Sequence, residues 1–369
     1  MSIPLEQTPF QLERIGTVME PDPENPHEAW GVLNPASARS HDGELYLFPR
    51  LVAEGNYSRI GIARVQFENG DPVGVTRLGY ALEPEEDYER SERSTGGVED
   101  PRITYVEPLD CWVMAYTAVS SLGPRIALAI SRDLFHWKRL GLLQYELACS
   151  VDFTQYDNKD GMLFPNVVLD PNGRPALAIL HRPRYLLHRP DGTVLMEVPC
   201  DVHEERESIW IAYISLERAG KDVESLVHVY DATFLTGPEE PWESLKIGGG
   251  APPVQVSGGW LTFYHGVSGT ASFDPSVPKD VRYSAGALLL DAERPTRILY
   301  RSKTPVLEPE QHDEQHGIVP NVVFPTAVDV RPGGRIDVYY GMADSRIGAA
   351  RTTIADWLPN GAIQSSRSR

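Results

Sequence analysis

The chain has 369 residues, and its 52 acidic side chains against 34 basic ones leave a formal charge of −18. That balance argues against nucleic acid or an anionic membrane as partner. Gly and Pro, 31 each, are spread along the whole length, so turns are many and short strands suit the chain better than long helices.

The opening residues Met1–Glu6 carry no basic segment followed by an apolar one, so no secretory signal is expected. No apolar run approaches the roughly 20 residues that span a bilayer. Cys111, Cys149 and Cys200 are odd in number and widely spaced, which predicts reduced packing residues and neither a disulfide frame nor a zinc site. A cytoplasmic location is the expectation.

Strand-like runs then follow in order. They are Glu44–Pro49, Ile60–Phe67, Ile103–Val106, Cys111–Ala118, Arg125–Ser131, Arg174–Leu180, Ser208–Ile214, Gly259–His265, Ala285–Leu290 and Arg335–Gly341. Polar turns such as His41-Asp42-Gly43 and Asp170-Pro171-Asn172-Gly173 precede several of them and predict antiparallel connections. The acidic segment Glu83–Glu92 reads as one turn of helix or a solvated loop. A looser repeat is visible, in which an aromatic strand end leads to a small-residue strand and then to an Asp turn. Examples are Tyr116-Thr117-Ala118 before Ala127–Ser131, Phe263–Gly266 before Ala285–Leu290, and Tyr339-Tyr340-Gly341 before Ile347–Ala350. The units recur roughly every 60–80 residues, the size of a large four-stranded propeller blade. Five would fill the chain. The expected fold is therefore an all-β, five-bladed β-propeller with an axial active-site cleft. It would form one domain over 1–369, with a flexible tail after about Leu358.

One short segment concentrates chemistry. Gly97-Val98-Glu99-Asp100-Pro101-Arg102 brings two carboxylates, a proline and a guanidinium together. Asp100 precedes Pro101, so an extended backbone is predicted there. The segment reads as a loop that aims one carboxylate into a cleft, as a proton donor to a glycosidic oxygen requires. Basic residues beside glycine, proline or aromatics form a second set: Lys159-Asp160-Gly161, His181-Arg182-Pro183, Lys246-Ile247-Gly248 and Tyr264-His265-Gly266. At strand ends of different blades they would converge and hold a dianion such as phosphate. His312-Asp313-Glu314-Gln315-His316 has its Glu misplaced for a His-Glu-x-x-His zinc site, and a solvated loop is expected. The cluster His203–Glu207 is likewise expected to be an exposed loop. Gly248-Gly249-Gly250 lacks the Lys-Ser/Thr of a phosphate loop, and no serine nucleophile elbow is present.

Taken in order, these segments resemble glycoside hydrolase family 130, the mannoside phosphorylases and related β-mannosidases. Asn34-Pro35-Ala36, Gly97–Arg102, Ser131–Leu134 with Trp137, Lys159–Pro165, His181–Pro183, Lys246–Pro253, Tyr264–Gly266 and Tyr339–Asp344 carry the resemblance over nearly the full length. It implies the same five-bladed propeller. It implies Asp100 as sole catalytic acid in an inverting reaction, with inorganic phosphate as co-substrate and no metal or organic cofactor. Lys159, Arg182 and Lys246, with His265 beside them, match the phosphate ligands. Asn34, Arg50, Arg59, Arg102 and Asp344 match positions lining the sugar site, and His188 reaches toward the acceptor sugar. Many members are homo-oligomers, so a homo-oligomer is allowed.

The hydrolytic branch replaces some of these basic positions by Glu, whereas here all three are basic. Three cations crowded in a dry cleft also repel one another unless a dianion completes the site. Both considerations favour an inverting β-mannoside phosphorylase, which releases α-mannose 1-phosphate. Two alternatives remain open: an inverting β-mannosidase and a non-catalytic sugar-binding propeller. The stretch Leu187–Ser208 looks longer than usual for the family. Glu204, Glu205 or Glu207 from it would supply a water-activating base if it entered the cleft.

Overall fold

The computed structural model describes residues 9–91, 95–146, 152–189, 191, 193–199, 202–270 and 280–354. Cys149, Cys200, the N-terminal hexapeptide and the expected tail fall outside these, whereas Cys111 is buried.

Strands dominate, and they group into five antiparallel blades. The innermost strands are Gly31–Arg39, Gly96–Val106, Tyr156–Leu163, Lys246–Gly249 and Val323–Arg331. The first two blades share one sheet through a short parallel pairing, Tyr57 with Gly96 and Ser58 with Gly97. The fifth blade is completed from the other end of the chain: Glu13–Met19 pairs antiparallel with Arg346–Thr353 as its outermost strand. Apolar residues of facing blades interlock in five clusters, one for each neighbouring pair. The cluster of Val18, Val32, Leu47, Tyr339 and Ile347 joins the fifth blade to the first and so closes the ring.

Seven of the ten strands read from sequence lie within observed ones, and Glu44–Pro49, Arg174–Leu180 and Ser208–Ile214 each begin one residue before theirs; most observed strands are longer than the apolar pattern suggested. Arg174–Leu180, for example, belongs to Pro175–His188, whose far end is polar because it lines the cleft. The aromatic-then-small repeat also gains a physical reason. Tyr116 faces Ala127, Tyr264 faces Gly286 and Tyr340 faces Gly348 across adjacent strands. A Cβ on Gly286 would lie 2.4 Å from the Tyr264 ring, so the small residue makes room for the tyrosine.

Each of those tyrosines donates to a buried carboxylate: Tyr116 to Glu89 and Tyr264 to Glu243, both at 2.6 Å, and Tyr340 to Glu314 at 2.9 Å. In the same way Arg139, Arg301 and Arg14 from the outermost strands pair with those three glutamates. Each glutamate also accepts from the backbone N–H groups three and four residues before it. In the first blade Glu28 takes Arg77 and the Asp22 N–H. These glutamates close a recurring segment, Pro23–Glu28, Pro84–Glu89, Pro238–Glu243 and Pro309–Glu314, folded as a single helical turn. At Glu83–Glu92 the helical turn, one of the two readings, is the one found, whereas the expectation of a solvated loop at His312–His316 is corrected. The turn inserts its glutamate under the blade, although His312 and His316 themselves remain exposed and stack on each other.

Candidate active site

The inner strands are kinked where they meet the axis. Asn34, Asp100 and Asp160 have positive φ of 43°, 44° and 58°. Each lies at a break in strand register: between Leu33 and Ala36, between Glu99 and Arg102, and between Lys159 and Met162. A bulge of this kind re-aims a side chain, and Asn and Asp tolerate the left-handed conformation better than most residues. Two expectations are corrected here. Gly97–Arg102 is part of the strand Gly96–Val106 and not a loop, and Asp100 is left-handed and not extended, because the bulge overrides the bias imposed by Pro101.

The three bulges deliver their side chains to one polar cavity of about 250 Å³. It is lined by Asn34, Arg50, Asp100, Lys159, Asp160, Arg182, Arg184, Lys246, His265, Tyr283, Val322, Phe324 and Asp344. Asp100 Oδ1 accepts from Asn34 Nδ2 at 2.9 Å and from an Arg50 Nη at 3.2 Å. Burial raises the Asp100 pKa, but Arg50, Lys159 and Arg102 together with the Asn34 hydrogen bond outweigh it and hold the carboxyl below its ordinary range. Glu99, its neighbour, bridges Arg50 at 2.8 Å and Lys159 at 3.2 Å, fixing the two cations that flank the acid.

Further basic residues line the same cavity. Lys159 and Arg182 are cross-strand neighbours, and Arg182 Nε donates to Asp160 at 2.5 Å. Lys246 is partly buried, and burial lowers its pKa. His265 Nδ1 donates to the Gly249 carbonyl at 3.1 Å, which leaves Nε2 unprotonated. Burial drives its pKa down to about 3, with Asp160 opposing and Arg182, Lys246 and Arg102 adding to the depression, so the ring is neutral at pH 7. Gly248 is required for this packing: a Cβ there would lie 2.4 Å from His265 and 2.6 Å from Arg182.

The cations are not left to repel one another, as had been expected. Arg182 pairs with Asp160 and closely with Glu207, Arg184 Nε lies 3.5 Å from Glu207, and Lys246 Nζ lies 3.7 Å from it. The loop reading of His203–Glu207 therefore holds only in part, since Glu207 is half-buried among cations. Glu205 is exposed, and Glu204 pairs with Arg206.

A second lobe of about 470 Å³ shares Arg50, Lys159, Arg184 and Asp344 with the first. It opens outward past Trp30, Leu33, Val52, Asn56, Glu99, Pro124, Ile318 and Val319. The site thus has a polar floor with a more apolar mouth, as expected of a cleft that holds a sugar ring deep and a second one nearer solvent.

Three residues expected at the sugar site lie outside both linings. Arg102 is fully buried, donates to the Gly250 carbonyl at 2.7 Å and the Asp100 carbonyl at 2.6 Å, and so holds the acid's backbone from beneath. Arg59 pairs with Glu83 at 3.0 Å and stacks on Tyr57. His188 Nε2 lies 3.0 Å from Asp157. Conversely, Arg184, Tyr283 and Trp30 went unread. Arg184 had a signal: two residues beyond Arg182 on one strand, it shares that residue's face.

The comparisons agree with this geometry. The family profile described as beta-1,4-mannooligosaccharide phosphorylase, that of glycoside hydrolase family 130, matches residues 5–359. A 1,2-beta-oligomannan phosphorylase of Thermoanaerobacter sp. is 32% identical over 356 residues, covering 94% of this chain and 99% of that protein. A beta-1,4-mannooligosaccharide phosphorylase of Ruminococcus albus is 30% identical over 276 residues, covering 73% of this chain and 68% of the relative. Among solved structures, the beta-1,2-mannobiose phosphorylase of Listeria innocua in complex with beta-1,2-mannobiose superposes with a TM-score of 0.66 at 25% identity, covering 93% of this chain and 97% of that one. A glycosyl hydrolase from Bacteroides ovatus shares the fold, with a TM-score of 0.69 at 21% identity and coverage of 95% and 96%. With a bulge-borne aspartate sharing one cavity with basic residues from other blades, and a family match over nearly its whole length, this chain belongs to glycoside hydrolase family 130.

Proposed function

We propose that the protein is an inverting β-mannoside phosphorylase, acting on β-mannosyl disaccharides or oligosaccharides with inorganic phosphate as co-substrate and no other cofactor. The observation that carries this is the cavity whose lining Asp100 shares with Lys159, Arg182 and Lys246. A terminal mannosyl ring in the deep lobe would set its anomeric carbon between Asp100 and these basic residues. Asp100 in its acid form gives a proton to the departing sugar oxygen, while a phosphate oxygen forms the new bond from the opposite side. The sugar phosphate then loses its proton, Asp100 is reprotonated, and the net change is glycoside plus hydrogenphosphate to mannose 1-phosphate plus free sugar. Phosphate needs no activating base, so one carboxylic acid suffices.

The resting site must gain a proton before it can act, because Arg50 and Lys159 keep Asp100 ionised. An entering phosphate neutralises Lys159 and its neighbours and so raises the Asp100 pKa toward the acid form. Trp30 and Ile318 at the mouth offer apolar surface to the leaving sugar.

The test is turnover of β-1,2- and β-1,4-mannobiose with and without phosphate. Activity should require phosphate, and Asp100→Asn should lower kcat by about 10³-fold without changing the fold, the scale expected for loss of a general acid. Equal turnover in phosphate-free buffer would mean hydrolysis instead.

A further inference from the structure

Glu207 is the unexpected member of the basic wall. Its backbone carbonyl accepts from the Ile247 N–H at 3.1 Å, which pins it beside Lys246, in the next blade. Its carboxylate contacts Arg182, Arg184 and Lys246, residues that all line the deep cavity, yet it does not line the cavity itself. It thus stands behind three cations and not among their ligands. Arg184 is held between two carboxylates. Its Nε lies 3.5 Å from Glu207, and among the described residues its one hydrogen bond goes to Asp157 at 3.4 Å. Its side chain is partly buried, with burial lowering its pKa. It stands at the throat where the two lobes meet, and an arginine carries five donors.

We infer that Glu207 is a positioning residue for the phosphate site: it ties Arg182, Arg184 and Lys246 into one array and recruits Arg184 as a fourth cation for phosphate at the throat. This rests on the phosphorylase reading. Without Glu207, three like charges from two blades lose their common counter-ion and spread apart, so the cradle loses its shape before phosphate arrives. Two lysines or arginines can turn toward bulk water; a bridging carboxylate anchored by its own backbone prevents that. Water activation is a poor use of the same group, because Arg182, Arg184 and Lys246 surround its oxygens.

The experiment titrates inorganic phosphate into the full-length protein by calorimetry, alongside kinetics with phosphate and β-mannobiose varied separately. Glu207→Gln and Arg184→Ala should each weaken phosphate binding about tenfold and raise its KM in step, while the KM for β-mannobiose moves less than twofold. Glu207→Asp should recover part of the loss. In the double variant the two effects should fall short of additive, because Glu207 acts partly through Arg184. A fold defect would not separate the two substrates in this way.

Tighter phosphate binding in Glu207→Gln would overturn the inference, since the carboxylate would then be a competing anion. Parallel loss for phosphate and sugar would overturn it as well. If neither wild type nor variant bound phosphate, and Glu207→Gln abolished a phosphate-independent turnover, Glu207 would be the base of a hydrolase. The phosphorylase reading would then fall with the inference, whereas the first two outcomes leave it standing.

Discussion

At the scale of single residues, the charge state of one carboxyl group is set by what surrounds it. Asp100 has Asn34 and Arg50 on one oxygen, and Glu99 keeps Arg50 and Lys159 in place. Lys246 is set differently. It is partly buried, and among the described residues its nearest carboxylate is 3.7 Å away, so its charge is poorly compensated until an anion binds. A charge-assisted hydrogen bond is worth about 1.5–3 kcal/mol, so Lys246→Ala should raise the phosphate KM by about ten- to a hundredfold. Initial rates at saturating mannoside check this, and an unchanged KM would place the anion elsewhere.

At the scale of elements, the blade is stapled by its glutamate. Glu243 takes two backbone N–H groups, Tyr264 and Arg301 at once, and is wholly buried. Removing one partner of a buried ion pair leaves the other charge uncompensated, at a cost of about 3–5 kcal/mol. Glu243→Ala should therefore lower the melting temperature by about 5 °C, given about 2.1 cal/mol/K of unfolding entropy per residue over a chain of this length. Differential scanning calorimetry measures it, and a shift below 1 °C would deny the turn a structural role. The equivalent change at Glu89 or Glu314 should behave alike, because the contacts repeat.

This motif also shows why the sequence was legible in outline only. The spacing of Tyr116, Tyr264 and Tyr340 with their small neighbours disclosed blades, because it records a contact between adjacent strands, close in the chain. The glutamates that receive those hydroxyls stand in the same sequence, as Pro-Glu-Glu before Asp87-Tyr88-Glu89 and again at Pro238–Glu243. Around Glu89 an acidic run allows a helical turn or a solvated loop, around Glu314 it reads as a solvated loop, and at Glu243 it carries no signal of burial. Only the arrival of Arg139, Arg301 or Arg14 from a distant strand makes their burial affordable.

At the scale of the whole molecule, closure of the ring buries groups that water would otherwise keep charged. His181 and His265 are both pushed down to about 3 by burial. Unfolded, a histidine titrates near 6.5, so between that value and 3 the unfolded chain binds protons that the folded one does not. Their contribution to stability is complete above about pH 6.5 and lost as pH falls. At pH 5 the loss is about 2 kcal/mol for each. The melting temperature should drop between pH 7 and pH 5, before the carboxylates titrate. His265→Asn should drop less over the same interval, and an equal drop would show that His265 is charged in the folded protein.

The sequence by itself determined the strands and the repeat of the propeller, because each is written in local pattern: alternation, turn residues, and an aromatic strand end before a small-residue strand. Asp100 was singled out by its resemblance to the family's acid, and its Asp-Pro pair misjudged the backbone there. The sequence also named Lys159, Arg182, Lys246 and His265, all of which line the cavity. Tertiary structure alone decided how they are used. It put Asp100 on a bulge, turned Arg59, Arg102 and His188 away from the lining, added Arg184 and Trp30, and set Glu207 behind the basic wall. The physical reason is that charge and hydrogen bonding across an axis depend on distances between blades, and residues of different blades that meet there lie scores of positions apart in the chain.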